Sequence, residues 1–133
     1  MEFMRQHSIY LDSLGHGSAP IPLACRVGPI LMTSGVMGRN RETGAMSDQV
    51  SEQAVECFKN LQAILAEAGL DMGDVVRVSV LVKEDSYRDA VNGPWLAHYP
   101  DPAHRPARHV AVGALRGAAL IQIEAMAVAR DAA

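Results

Sequence analysis

The sequence predicts an α+β fold, a mixed β-sheet with two helices packed on one face, and three observations carry that prediction. One long stretch repeats its apolar residues every 3.6 positions, from about Asp48 to Ala68. Short β-branched or alternating runs lie before and after it. The 133 residues contain no internal repeat, low-complexity tract or linker. They read as one domain, 1–133, long enough to bury a core without disulfides or a structural metal.

Taken in order, His7–Asp12 reads as a first strand and Gly15–Pro22 as a loop stiffened by two prolines. Ala24–Val27 and Ile30–Ser34 flank Gly28-Pro29 and read as a hairpin. Gly35–Met46 is polar and glycine-rich, with a turn at Glu42-Thr43-Gly44. In the helix that follows, Val50, Ala54, Cys57, Phe58, Leu61, Ile64, Leu65 and Ala68 share one face. Ser47 or Asp48 can cap its start, and Gly69 sits where a left-handed C-terminal residue belongs. Val75–Lys83 is a β-branched strand. Asp85–Tyr99 reads as a weaker helix interrupted at Gly93-Pro94, because the residue before proline avoids the α region. After a loop over Pro100–Ala107 come two strands, Arg108–Ala114 and Ala119–Val128. The expected order is β-β-β-α-β-α-β-β.

Twelve Lys and Arg against fifteen Asp and Glu leave a net charge of −3, which speaks against nucleic acid or an anionic membrane as the main partner. With one Trp, three Tyr and two Phe, no aromatic platform for single strands is visible. Charged residues are 20% of the chain, below the roughly 25% of an average domain, which leans toward surface hidden in an oligomer. The N-terminus lacks the apolar core of a signal peptide, and no apolar run is long enough to cross a bilayer, so a cytoplasmic protein is expected. Cys25 and Cys57 then read as small buried hydrophobes with reduced thiols. His7, His16, His98, His104 and His109 lack metal-ligand spacing, so no metal is expected, and His98 and His104 read as solvated loop residues. No nucleotide-binding, nucleophile-elbow or zinc-protease motif occurs.

Several blocks in register nevertheless carry a resemblance. Arg26-Val27-Gly28, Thr33-Ser34-Gly35, Glu42-Thr43-Gly44, Ala66-Glu67-Ala68-Gly69, Gly73-Asp74-Val75-Val76, Ala90-Val91-Asn92, Arg105-Pro106-Ala107-Arg108 and Ile121-Gln122-Ile123-Glu124-Ala125 resemble the RidA/YjgF family of reactive intermediate deaminases, from about residue 16 to 129. The resemblance implies a chorismate-mutase-like fold in a homotrimer with clefts between subunits. It also implies hydrolysis of enamines and imines, such as 2-aminoacrylate and 2-iminopropanoate, to 2-oxo acids and ammonia without a cofactor.

Residue by residue, the resemblance makes Arg108 the anchor of the substrate carboxylate, a role that suits a planar guanidinium. Arg105 is expected in solvent or in a subunit contact. Ser34 and Gly35 match the strand end that serves the cleft; the Ser34 hydroxyl can bond substrate or tie the strand to its loop. Asn92 matches a position near the cleft, with helix capping as its other reading. Two positions depart from the family pattern. Ile21 stands where many relatives carry a tyrosine, so the cleft should be more apolar there. Gln122 stands where relatives carry the glutamate thought to position or activate water. An amide orients water but cannot accept its proton. Glu124 shares Gln122's strand face one pleat repeat away and reads as a structural acid at the trimer core rather than a second-water base. His109 should face away from Arg108. Two functions stay in play: a weak or altered deaminase, or a non-catalytic trimer that binds small carboxylates.

Overall fold

A computed structural model describes residues 5–130. Seven strands form one sheet: β1 (His7–Ile9), β2 (Ala24–Val27), β3 (Ile30–Thr33), β4 (Val36–Met37), β5 (Val75–Val82), β6 (Ala107–Val112) and β7 (Ile121–Val128). The helices are α1 (Val50–Glu67) and α2 (Asn92–His98). Strand order is β1-β2-β3-β7-β5-β6, with β4 also paired to β7. All pairs are antiparallel except β5 with β6.

Side-chain alternation assigns the two faces. On β5, Val78, Val80 and Val82 are buried, as are Ile121, Ile123, Ala125 and Ala127 on β7. They meet Ala54, Cys57, Phe58, Leu61, Ile64 and Leu65 of α1 in one core that also takes in Val91 and Trp95. The opposite face is bare and carries Gln122, Glu124, Ser79 and Leu81, in the register Leu81↔Gln122 and Ser79↔Glu124.

The helix face on α1 is the expected one, and Gly69 adopts φ +81° just beyond it, a region a Cβ disfavours. Its start differs. Gln49 is the N-cap and makes no side-chain cap bond, while the Ser47 hydroxyl accepts from the Gln49 N–H at 3.0 Å. β4 was not expected, so the order is β-β-β-β-α-β-α-β-β. The expected break at Gly93-Pro94 is not there. Residues Asp85–Val91 form a 3₁₀ helix, and α2 begins after them with Pro94 in its first turn. A missing N–H costs nothing there, since first-turn donors have no intrahelical partner. Asn92 is therefore inside the helix, and its expected capping role falls to Val91, which makes no side-chain bond.

Cys57 is fully buried, and burial pushes its thiol far up. Cys25, expected to be buried, is half-buried because it points to the bare face, opposite Met32. His98 is not a loop residue. It lies on α2, half-buried and stacked on Phe58 at 5.8 Å, and burial lowers its pKa. His104 is exposed in the following turn.

Tyr99 closes α2 and donates its hydroxyl to Met72 O at 2.9 Å. Burial, helped by the Asp71 carboxylate, pushes its pKa from 10.0 to about 12. Because the folded value is the higher one, the contribution is intact below pH 10 and is lost as pH rises from 10 to about 12. Wild type is expected to lose about 2 kcal/mol over that window. Urea midpoints measured from pH 9 to 12 check this: Tyr99→Phe should show a shallower alkaline decline, and an equal one rejects the assignment.

Candidate functional site

The expected site residues fall into two groups on opposite faces of the sheet. β6 runs beside β5 in the unbroken register Val78↔Arg108, Ser79↔His109, Val80↔Val110. Arg108 therefore shares the face of buried Val78, the helix side. Its guanidinium carbon lies 4.9 Å from the centroid of the Trp95 ring, a cation–π contact. Trp95 is held in turn by Phe58, edge-on at 6.4 Å, and by Tyr99 at 5.2 Å. Asn92 precedes Trp95 by three residues on α2, which puts it on the same side of that helix. Among the described residues no carboxylate lies within ion-pair distance of Arg108. The arginine is stacked and exposed, with its fork unused.

Gln122 lies on the other face. At its end of the sheet, β3 leaves the ladder at Thr33, whose hydroxyl accepts the Ala125 N–H at 3.0 Å, and β4 resumes pairing at Val36↔Ile123 and Met37↔Gln122. Gly35 sits in that gap. A Cβ there would be 2.6 Å from the Gln122 amide carbon, so the backbone meets the side chain directly and a larger residue would push the Gln122 amide aside. Of its two readings, Ser34 takes the tying one: its hydroxyl donates to Pro22 O at 2.8 Å. Ile21, next to that proline, is 44% exposed and faces the same groove as Gln122.

The groove has a volume of about 1130 Å³ and is walled by residues 12–21, β4, residues 44–46 and residues 114–118. Sequence reasoning missed His16, which lines it: His16 Nε2 bonds Gly35 O at 2.8 Å across 19 residues of chain. A carbonyl only accepts, so Nε2 is the donor. His16 pins the loop to the backbone that packs on Gln122. A smaller hollow of about 190 Å³ beside the groove gathers Gln122, Glu124, Ser79 and His109. The alternation expected for His109 therefore holds, and it puts His109, not Arg108, on Gln122's face. Arg105 is exposed, in keeping with its solvated reading, and it donates to Tyr99 O at 2.9 Å and to Pro100 O at 3.1 Å, bracing its own loop. Among the described residues, no three His, Cys, Asp or Glu side chains cluster as a metal site requires, and no helix is long and apolar enough to cross a membrane.

Fold and site together define an α+β chain with an exposed, ring-stacked arginine on one sheet face and a groove at Gly35 and Gln122 on the other. The family model described as Endoribonuclease L-PSP matches residues 18–129, and the chain belongs to that family, which is the YjgF/RidA family. The 2-iminobutanoate/2-iminopropanoate deaminase of Salmonella typhimurium is 38% identical over 106 residues, covering 78% of this chain and 83% of the relative. A RutC family protein of Aquifex aeolicus is 34% identical over 116 residues, covering 83% and 93%. Among solved structures, the E. coli YjgF gene product superposes with a TM-score of 0.83 at 31% identity, over 93% of this chain and 99% of that one.

Proposed function

We propose that the protein hydrolyses reactive enamines and imines of small 2-oxo acids, releasing ammonia, in clefts between the copies of a homotrimer. The observation that carries the reading is the split of Arg108 and Gln122 onto opposite sheet faces within a chain whose relatives are named imine deaminases. A small substrate cannot touch both groups of one chain, so a second copy must bring its Arg108 to this chain's Gln122. The bare face supports association: Met32 is 57% exposed, Ile30 44% and Val128 40%, and they adjoin through the pairs Met32↔Met126 and Ile30↔Val128.

In the cleft, Arg108 and Asn92 of one copy hold the substrate carboxylate. Gly35, Ser34 and Ile21 of the other wall the site, and the Gln122 amide orients a water at the imine carbon. Water adds across C=N to a carbinolamine, which expels ammonia to leave the ketone. Substrate amine and solvent carry the protons, because the amide takes none. No metal or organic cofactor enters.

Gln122 itself favours a second reading, a carboxylate-binding trimer that has given up catalysis. One assay separates the two. 2-Iminopropanoate is generated by an amino-acid oxidase and its loss followed by semicarbazide trapping. Wild type is expected to accelerate hydrolysis, and Gln122→Glu to raise kcat about 10²-fold, the lower end of what a positioned base supplies. An inert wild type rescued by Gln122→Glu would make the binding-protein reading the correct one. The name endoribonuclease fits this chain poorly, given its −3 charge.

A further inference from the structure

Arg108 lies on an edge strand, which its sheet holds from one side only: β6 pairs with β5 alone. Within a strand the N–H and C=O of one residue point to the same side, and successive residues alternate. The Gly113 N–H bonds Val82 O on β5, so Ala107, His109 and Ala111 turn their backbone groups to β5 as well. Arg108, Val110 and Val112 turn theirs out to the free edge, while their side chains share the helix side of the sheet.

One side chain takes up that edge. Arg88, in the 3₁₀ helix Asp85–Val91, reaches across 22 residues of chain and donates from Nη1 to Val110 O at 3.0 Å. Its Nε donates to Asp85 Oδ1 at 2.6 Å, one turn earlier, which aims the guanidinium at the strand. Among the described residues no other hydrogen bond joins residues 85–98 to β6. The bond falls two residues beyond Arg108, and the 3₁₀ helix that supplies it runs directly into Asn92. Arg88 thus ties together the two elements that carry Arg108 and Asn92, the groups assigned to the substrate carboxylate. The ion pair that holds it is exposed, 45% at Arg88 and 84% at Asp85, and such pairs add little to stability. What it fixes is position.

We propose that Arg88 is a positioning residue for the carboxylate anchor. Through Val110 O it sets the Arg108 fork relative to Asn92 and to the ring of Trp95, without touching substrate itself. The inference rests on the deaminase reading for the reaction it serves and goes beyond it in the residue.

Trp95 is the chain's one tryptophan, so its emission reports the Arg108 stack with no substrate present. The experiment compares wild type, Arg88→Ala, Arg88→Lys, Arg108→Ala and the double variant of both alanines. It reads Trp95 emission, thermal midpoints, pyruvate binding by calorimetry and the kinetics of 2-iminopropanoate hydrolysis. Arg88→Ala is expected to raise KM and weaken pyruvate binding about tenfold with kcat little changed, since a misplaced clamp weakens ground state and transition state alike. Its Trp95 emission should move toward that of Arg108→Ala, while its thermal midpoint stays within a few degrees of wild type. The double variant should be no worse than Arg108→Ala, because the two residues act as one unit. Arg88→Lys keeps a donor for Val110 O and should recover part of the KM. Unchanged KM and unchanged emission in Arg88→Ala overturn the proposal and leave the deaminase reading standing. So does a double variant whose loss is the sum of the two single losses, which makes Arg88 independent of Arg108. If wild type hydrolyses no imine, yet emission and pyruvate binding in Arg88→Ala follow those of Arg108→Ala, the positioning role stands and the deaminase reading falls.

Discussion

Arg108→Ala is expected to lower kcat/KM for 2-iminopropanoate by about 10²- to 10³-fold with the fold intact, the cost of removing one partner of a charge-assisted, forked contact. The loss should fall mainly on KM, since the arginine grips the carboxylate in ground state and transition state alike. Stability should change little. Arg108 is exposed, and its one contact of note, the stack on Trp95, contributes about 0.5–1 kcal/mol at such a site. Thermal midpoints of the variant and wild type should therefore agree within a few degrees. Arg108→Lys keeps the charge but loses the fork and the stacking plane, and should recover only a small part of the rate. Arg105→Ala is the informative neighbour: it frees the loop bonds to Tyr99 O and Pro100 O without touching the stacked guanidinium. An Arg108→Ala enzyme with unchanged kcat/KM would move the carboxylate anchor elsewhere, with Arg116 the first place to look.

How much of this was readable without coordinates depends on the kind of signal. The apolar face of α1 was legible because a 3.6-residue period survives any tertiary context. Strand parity was legible too: Arg108 against His109, and Gln122 with Glu124, follow from a repeat of two. Parity within a strand does not say which face of the sheet it presents, and that came only with the pair Val78↔Arg108. β4 was missed because two residues in a glycine-rich polar stretch give no periodicity; β7 recruits them. No break falls at Gly93-Pro94 because the proline rule depends on where a helix starts, and here the proline lies in the first turn of α2. His16 carried no local sign at all, since its partner is 19 residues away. Gln53 and Asn60 were passed over because a polar residue in an amphipathic helix reads as solvent-facing by default.

Those two amides are fully buried, and they hold the groove walls to the helix. Asn60 donates to Met37 O at 2.9 Å and Arg39 O at 2.8 Å, fixing β4 and the turn after it. Gln53 donates to Ser47 O at 2.6 Å and Ala118 O at 2.9 Å, and accepts the Leu120 N–H at 2.8 Å. Gln53→Leu preserves volume and helix propensity but strands those three backbone groups. Ser47 and Ala118 lie near enough to the surface to find water, so the full penalty of three orphaned groups will not appear. A loss of about 3 kcal/mol is expected, which lowers the melting temperature by roughly 10–15 °C for a chain of this size. The loop 114–118 should loosen before the core does. Hydrogen exchange at the Leu120 amide should then accelerate by a larger factor than at Val80, whose place in the central strand reports global opening. Equal acceleration at both amides would mean that Gln53 stabilises only the whole fold. Preferential loss at Leu120, with KM for imines rising in parallel, would show that a buried glutamine on the far side of the sheet sets the shape of the groove.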